Sequence, residues 1–303
     1  MLACFTQAGM SAPPAFSYFM KYQRSSTPLR ARWERAADMF SCLPYWLLAI
    51  SLIGVFGLWR MLTDDDYRVI FGAVSQGIAT TLAVSFVAYI FSIALALAIA
   101  LMRISPLRPL REVSSLYAEI VRGVPMLVIL YYIAFVGAPA LVDAANWLCS
   151  PLIGIGVMNA VNIRALNFVW RAILALTIGY SAFISEIFRA GIESIGAGQM
   201  QAARALGMTR GQAMRHVILP QAFRNVLPPL CNEFVAMIKD SALVSALGVQ
   251  DITQLGKVYS ASTFKFFETY NVVAFLYLTM TLSLSLLARA LERHLDKKKY
   301  HAA

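Results

Sequence analysis

The sequence carries little charge. Asp, Glu, Lys and Arg make up 14% of its 303 residues, against about 25% in an ordinary soluble domain. That deficit excludes a typical water-soluble fold and points to a chain built for the bilayer. Cysteine is scarce as well. Cys4, Cys42, Cys149 and Cys231 show no C-x-x-C spacing and no regular pairing, so neither a disulfide frame nor a zinc site is expected. His216, His294 and His301 stand alone, and no metal is assigned. There is no G-x-x-x-x-G-K-[ST] loop, which excludes ATP binding through a P-loop. A Gly-rich dinucleotide turn and a Ser/His/Asp arrangement of known spacing are missing too. No catalytic residue and no cofactor is therefore expected.

What the chain has in abundance is apolar sequence: 59% hydrophobic residues and a mean hydropathy of +0.64. Apolar runs at 43–59, 78–102, 123–142, 172–192, 227–247 and 269–288 predict six transmembrane helices. The run 78–102 has 25 residues without a charge, and Pro106 and Pro109 just beyond it are expected to break its helix. A shorter apolar stretch, 147–161, contains Pro151, Gly154 and Gly156 and reads as interfacial or re-entrant. The expected fold class is thus all-α and integral to the membrane. A polar, basic N-terminal tail over 1–42, with a short helix near 30–40, precedes an extra N-terminal span over 43–60. A five-helix core within 70–295 follows, then a tail over 296–303.

The formal charge of +10 raises the question of nucleic acid, but such binders gather Lys and Arg on an otherwise polar domain. Here the basic residues sit between apolar runs, and no nucleic-acid partner is expected. Their distribution sets the orientation instead. With both termini in the cytoplasm and six spans, 19 of the 26 Lys and Arg residues face inward. The exceptions are Arg60, Arg68, Arg164, Arg171, Lys239, Lys257 and Lys265. The expected location is a membrane, multi-pass, with both termini cytoplasmic.

One stretch between spans is unusually structured for a loop. Residues 198–225 read GQMQAARALGMTRGQAMRHVILPQAFRN. Strong helix formers over 199–206 predict a first helix. Gly207 sits where a C-cap favours positive φ. Thr209 with Gln212 three residues later is the capping-box spacing of a second helix, expected to run to about Leu219 and to end at Pro220. Arg204, Arg210, Arg215, His216 and Arg224 make this hairpin basic. The plain alternative is an ordinary cytoplasmic loop.

Polar groups within spans are costly and hence functional candidates. Glu186 and Arg189, like Glu119 and Arg122, have the i,i+3 spacing of a pair on one helix face; structural pairing or a partner contact would account for both. Lys239 and Asp240 lie near mid-span on different faces of one helix. They need partners on other helices, water or a zwitterionic substrate, so a structural network and a translocation path stay open for them. Asn232 and Glu233 on the same span are weaker path candidates. Tyr180 and Ser181, mid-span in the fourth helix, are more simply read as packing residues.

At the hairpin the chain resembles the membrane (permease) subunits of ABC importers. That family's motif is EAA, three residues, Gly, and later Ile-Leu-Pro. Here it reads Gln201-Ala202-Ala203, Gly207 and Ile218-Leu219-Pro220. The words EIVRGVP (119–125), SEIFRAGIESI (185–195), VILPQAFRNVLPPL (217–230) and MIKDSALVSALGV (237–249) resemble the polar amino-acid branch, the histidine/glutamine/arginine-type permeases. The resemblance covers about 70–295. It implies that the hairpin is a coupling helix docking on a separate ATP-hydrolysing subunit. Ala202 and Ala203 would allow close approach to a groove, Gly207 would give the corner, Arg204 and Arg210 would supply charge, and Pro220 would join the hairpin rigidly to the next span. It also implies a dimer of such ATPases, a second permease copy or relative in a homo- or heterodimer, an extracytoplasmic substrate-binding protein and a polar amino-acid substrate. One departure stands out: the family usually has Glu where this chain has Gln201, and a charge-assisted hydrogen bond is about twice as strong as a neutral one. Two other readings remain at this point, an ion-coupled secondary transporter and an intramembrane enzyme or scaffold. No internal repeat supports the former, and no nucleophile constellation supports the latter.

Overall fold

The computed structural model describes residues 45–154 and 159–300. The expected basic tail with its short helix, the centre of the 147–161 stretch at 155–158, and the last three residues lie outside the described residues. The chain divides into two units, Met1–Arg60 and Met61–Ala303.

Among the described residues the fold is helical throughout. The elements are α1 (Tyr45–Thr63), α2 (Asp65–Ser75), α3 (Gly77–Arg103), α4 (Arg108–Gly123), α5 (Met126–Tyr132) and α6 (Ala138–Leu148), with a wide turn Ile133–Gly137 between the last two. After them come α7 (Ser150–Gly154), α8 (Phe168–Glu193), α9 (Ala197–Ala205), α10 (Arg210–Ala213), α11 (Leu219–Asp240), α12 (Ile252–Thr263) and α13 (Phe266–Tyr300). Four stretches are long and apolar enough to cross a membrane: Asp65–Arg103, Met126–Leu148, Phe168–Glu193 and Phe266–Ala290. The first expected span forms α1, whose described apolar stretch is Leu52–Met61. The fifth expected span is α11. It carries Arg224, Glu233, Lys239 and Asp240 and falls outside that group of four.

Helix α8 is the centre of the larger unit, buried along most of its length. It packs against α3 through small side chains, Ala88, Ala96 and Ala100 on one helix and Ala172, Ala175 and Ala182 on the other. Between membrane helices, where hydrocarbon offers no hydrophobic drive, close backbone approach is what holds such a pair. Hydroxyls add to it: Ser92 donates to the Thr177 carbonyl at 3.3 Å, and Thr177 to the Ala88 carbonyl at 3.4 Å. Helix α12 is fastened to α3 at Gly77, where a Cβ would overlap the backbone of Asp251 and Ile252.

Two expectations about the boundaries need correction. Pro109 does not break a helix but lies in the first turn of α4, where its missing N–H costs nothing. The chain re-enters helix at Arg108, and α4 packs as an amphipathic helix against α3 and α8. Nor does Pro220 end the second hairpin helix. From Arg210 the chain stays helical through a π turn at Met214–Ile218 into α11. The wider turn re-registers the backbone hydrogen bonds, so the proline, which has no N–H to give, enters α11 in its first turn.

Candidate functional site

The hairpin is built as its local sequence dictates. Gly207 has φ +84. The Met208 N–H donates to the Ala203 carbonyl at 3.2 Å and the Gly207 N–H to the Arg204 carbonyl at 3.0 Å, which closes α9 as a Schellman turn. Thr209 and Gln212 form the reciprocal capping box, with bonds of 2.9 and 3.3 Å. The hairpin is rooted by Ile192, Ile218 and Ala222, with Met200, Met214 and Val217 against them. At its base Asn225 donates to the Ser194 hydroxyl at 3.0 Å. Of the residues singled out, Gln201, Ala202, Arg204, Gly207, Arg210 and Pro220 are exposed, but Ala203 is buried. Ala203 packs the hairpin itself and offers nothing to a partner; only Ala202 is free for close approach. The structure adds Leu206, which is 81% exposed between Arg204 and Gly207. An apolar side chain held out at a capped tip was not singled out from the sequence, although its place just before the C-cap glycine was the available signal.

An ion cluster braces the base of the hairpin's entering helix. Glu186 pairs with Arg189 as the spacing predicts. It also accepts from the Arg103 guanidinium at 2.5 Å and lies 3.9 Å from that of Arg122, while Arg189 bonds Glu193 at 2.5 Å. The expected partner of Glu119, Arg122, thus turns toward Glu186 and lies over the Phe183 ring as well. The ends of α3, α4 and α8 are joined by one carboxylate.

The path candidates are partly brought together. The Tyr180 hydroxyl, 3% exposed, donates to the Asp240 carboxylate at 2.8 Å across α8 and α11. Asp240 thereby finds the off-helix partner that its position demanded. Glu233 lies two turns earlier on the same face, half-buried. Lys239 and Asn232 are exposed on another face, and Lys239 has no hydrogen-bond or ion-pair partner among the described residues. Ser181 is tied to the Tyr117 hydroxyl at 2.8 Å, a packing role. Among the described residues no group of three His, Cys, Asp or Glu is placed to hold a metal ion.

The chain has counterparts among known proteins. The family described as "Binding-protein-dependent transport system inner membrane component" matches residues 92–299. The chain belongs to this family. It is a permease, the membrane component of an ABC importer, a class of machine that works with an ATP-hydrolysing subunit and a substrate-binding protein. Among relatives of this permease is the "Probable glutamine ABC transporter permease protein GlnM" of Bacillus subtilis (strain 168), 37% identical over 227 residues. The match covers 75% of this chain and 95% of that one. The arginine transport system permease protein ArtQ of the same strain is 31% identical over 222 residues, covering 73% and 92%. A crystal structure of an amino acid ABC transporter with histidines superposes with a TM-score of 0.63 at 38% identity, covering 77% of this permease and 98% of that chain.

Proposed function

We propose that this permease carries polar amino acids across the inner membrane, driven by a separate ATPase dimer that docks on residues 198–225. It contributes no bond-breaking chemistry of its own. The capped, outward-facing hairpin carries this reading: a Schellman turn, a capping box and a buried root hold Gln201, Arg204, Leu206 and Arg210 in fixed positions at a surface. Rigid presentation of an apolar tip flanked by guanidinium groups is what docking into a groove requires. Amino-acid transport is supported by the relatives' names and by the chemistry around α11. Lys239 offers an unpaired cation for a carboxylate, and Asp240 and Glu233 offer acceptors for an ammonium group. Tyr180 acts by positioning Asp240, and Asn232 lines the same helix. The Lys and Arg distribution supports cytoplasmic termini, with a second permease copy or relative completing the path and a binding protein delivering substrate from outside.

The test is energisation. Proteoliposomes holding the assembled transporter, given ATP inside and the binding protein outside, accumulate amino acid without an ion gradient. Uptake that follows a proton gradient and ignores ATP would contradict the proposal. A panel of competing amino acids in the same assay names the substrate.

A further inference from the structure

Helices α3, α11 and α13 line an open-sided cavity of about 330 Å³ that the transport reading does not use. Its lining includes Phe86 and Tyr89 from α3, Cys231 and Phe234 from α11, and Leu284 and Leu287 from α13. The walls are almost wholly apolar. The volume is at the low end of small-molecule sites, about 300–1,000 Å³. The aromatic side is preorganised: the Phe234 ring lies 4.9 Å from that of Tyr89 and 6.5 Å, edge-on, from that of Phe86. The Tyr89 hydroxyl, the one polar tip on that side, is already satisfied by the Leu230 carbonyl at 2.5 Å.

The cavity lies away from the path candidates. At the helical repeat of about 100° per residue, Cys231 and Phe234 lie on the face of α11 roughly opposite Glu233 and Asp240. Its ends also differ. Helix α11 leaves the hairpin and α13 runs toward the C-terminal tail, so the two are antiparallel across the cavity. Arg224 stands one turn before the lining residue Leu227, and Arg289 adjoins the lining residue Ala288. Two exposed guanidinium groups therefore stand at the same end, the cytoplasmic one in the orientation proposed above. Arg289 uses its Nε on the Ser285 carbonyl at 3.3 Å, which leaves its terminal nitrogens to other partners. Arg224 has no side-chain partner among the described residues.

We propose that this cavity is a binding site for an anionic phospholipid of the cytoplasmic leaflet, its acyl chain between α3, α11 and α13 and its phosphate at Arg224 and Arg289. An apolar slot capped by two cations matches one hydrocarbon chain bearing one anionic head. Guanidinium groups bind phosphate in bidentate fashion. A lipid here would join α11, which continues directly from the hairpin, to α13, and its occupancy would stiffen the helix through which hairpin motion enters the membrane.

The experiment uses the full chain in bilayers with a phosphatidylglycerol that carries a photoactivatable diazirine in its acyl chain. The expected labels map to 86–93, 227–235 and 284–288. Unlabelled phosphatidylglycerol competes about 25-fold better than phosphatidylcholine, in line with a gain of on the order of fivefold for each of the two arginines beside an anionic headgroup. Arg224→Gln with Arg289→Gln removes that preference while labelling persists. Cys231→Trp fills the slot and reduces labelling at these three segments. Gel-filtration profiles identical to wild type show that the variants are folded. Labels spread evenly over the exposed apolar helices, equal competition by the two lipids, or a double arginine variant with unchanged preference would each overturn the proposal. Labels elsewhere with the cavity silent would assign it to another chain segment or a second copy, and overturn it too. None of these outcomes depends on an ATPase, so failure here is distinct from failure of the transport reading.

Discussion

Gly191 is the point where α8 crosses α11 just above the hairpin, and it is the most informative single substitution. A Cβ built there would overlap Cγ2 of Val226, lie 3.5 Å from Val226 Cβ and 3.7 Å from the Ala222 carbonyl oxygen. Val226 is 2% exposed, and as a β-branched residue it has little rotameric freedom in a helix. It cannot swing aside, so Gly191→Ala must push α11 away from α8. Overpacking of this kind costs about 1–3 kcal/mol, which corresponds to a midpoint about 2–10 °C lower for a chain of this size. The displaced helix carries the hairpin, and the Asn225–Ser194 hydrogen bond at its base is within reach of the disturbance. The assay pairs thermal unfolding of the purified protein in detergent with uptake in proteoliposomes. Gly191→Ala lowers both. The decisive arm is Gly191→Ala with Val226→Ala, which removes the obstructing methyl groups and recovers at least about 1 kcal/mol relative to the sum of the single changes, as expected of residues in contact. Strict additivity would refute the reasoning, because the cost would then come from somewhere other than this crossing.

Three further changes probe the other parts of the account. Glu186→Gln removes the carboxylate partner of Arg103, whose side chain is 10% exposed, and leaves only Glu193, on Arg189, among the three guanidinium groups. The expected loss is about 2 kcal/mol, less than for a fully buried pair because Glu186 is partly wet, and it is read as a lowered melting midpoint. Gln201→Glu restores a carboxylate at an exposed position of the hairpin. It tightens ATPase association up to about tenfold if the partner presents a basic residue, measured by titrating the ATPase onto immobilised permease. Tyr180→Phe removes the hydroxyl that fixes Asp240; the expected result is a KM for uptake raised about tenfold with insertion unchanged, whereas loss of one ordinary packing contact would move stability but not KM.

The sequence was most informative where interactions are local. Gly207 at positive φ, the Thr209–Gln212 box and the Glu186–Arg189 pair are all set within four residues, and the structure forms each of them. What it withheld is long-range. Arg103 meets Glu186 across 83 residues and Tyr180 meets Asp240 across 60. No helical period links such positions, so each residue was singled out without its partner or missed altogether. Pro220 misled for a different reason. A proline was expected to terminate, but one π turn upstream absorbs the lost hydrogen bond and keeps α10 and α11 continuous. Ala203 misled because a short sequence does not say which face of a nine-residue helix turns inward.

The central claim is that the hairpin transmits ATP-driven motion, and Gly207 tests it most directly. Open space surrounds the position, so a side chain there meets no obstacle within the chain, and only its φ of +84 opposes substitution. For a β-branched residue that conformation costs on the order of 1–2 kcal/mol or more, while Asn tolerates it. The measurement is ATP-driven amino-acid uptake by proteoliposomes holding equal amounts of inserted wild-type, Gly207→Asn and Gly207→Val permease with the ATPase and binding protein. The account predicts uptake near wild type for Asn and lost uptake for Val. Wild-type uptake by the Val variant would contradict it.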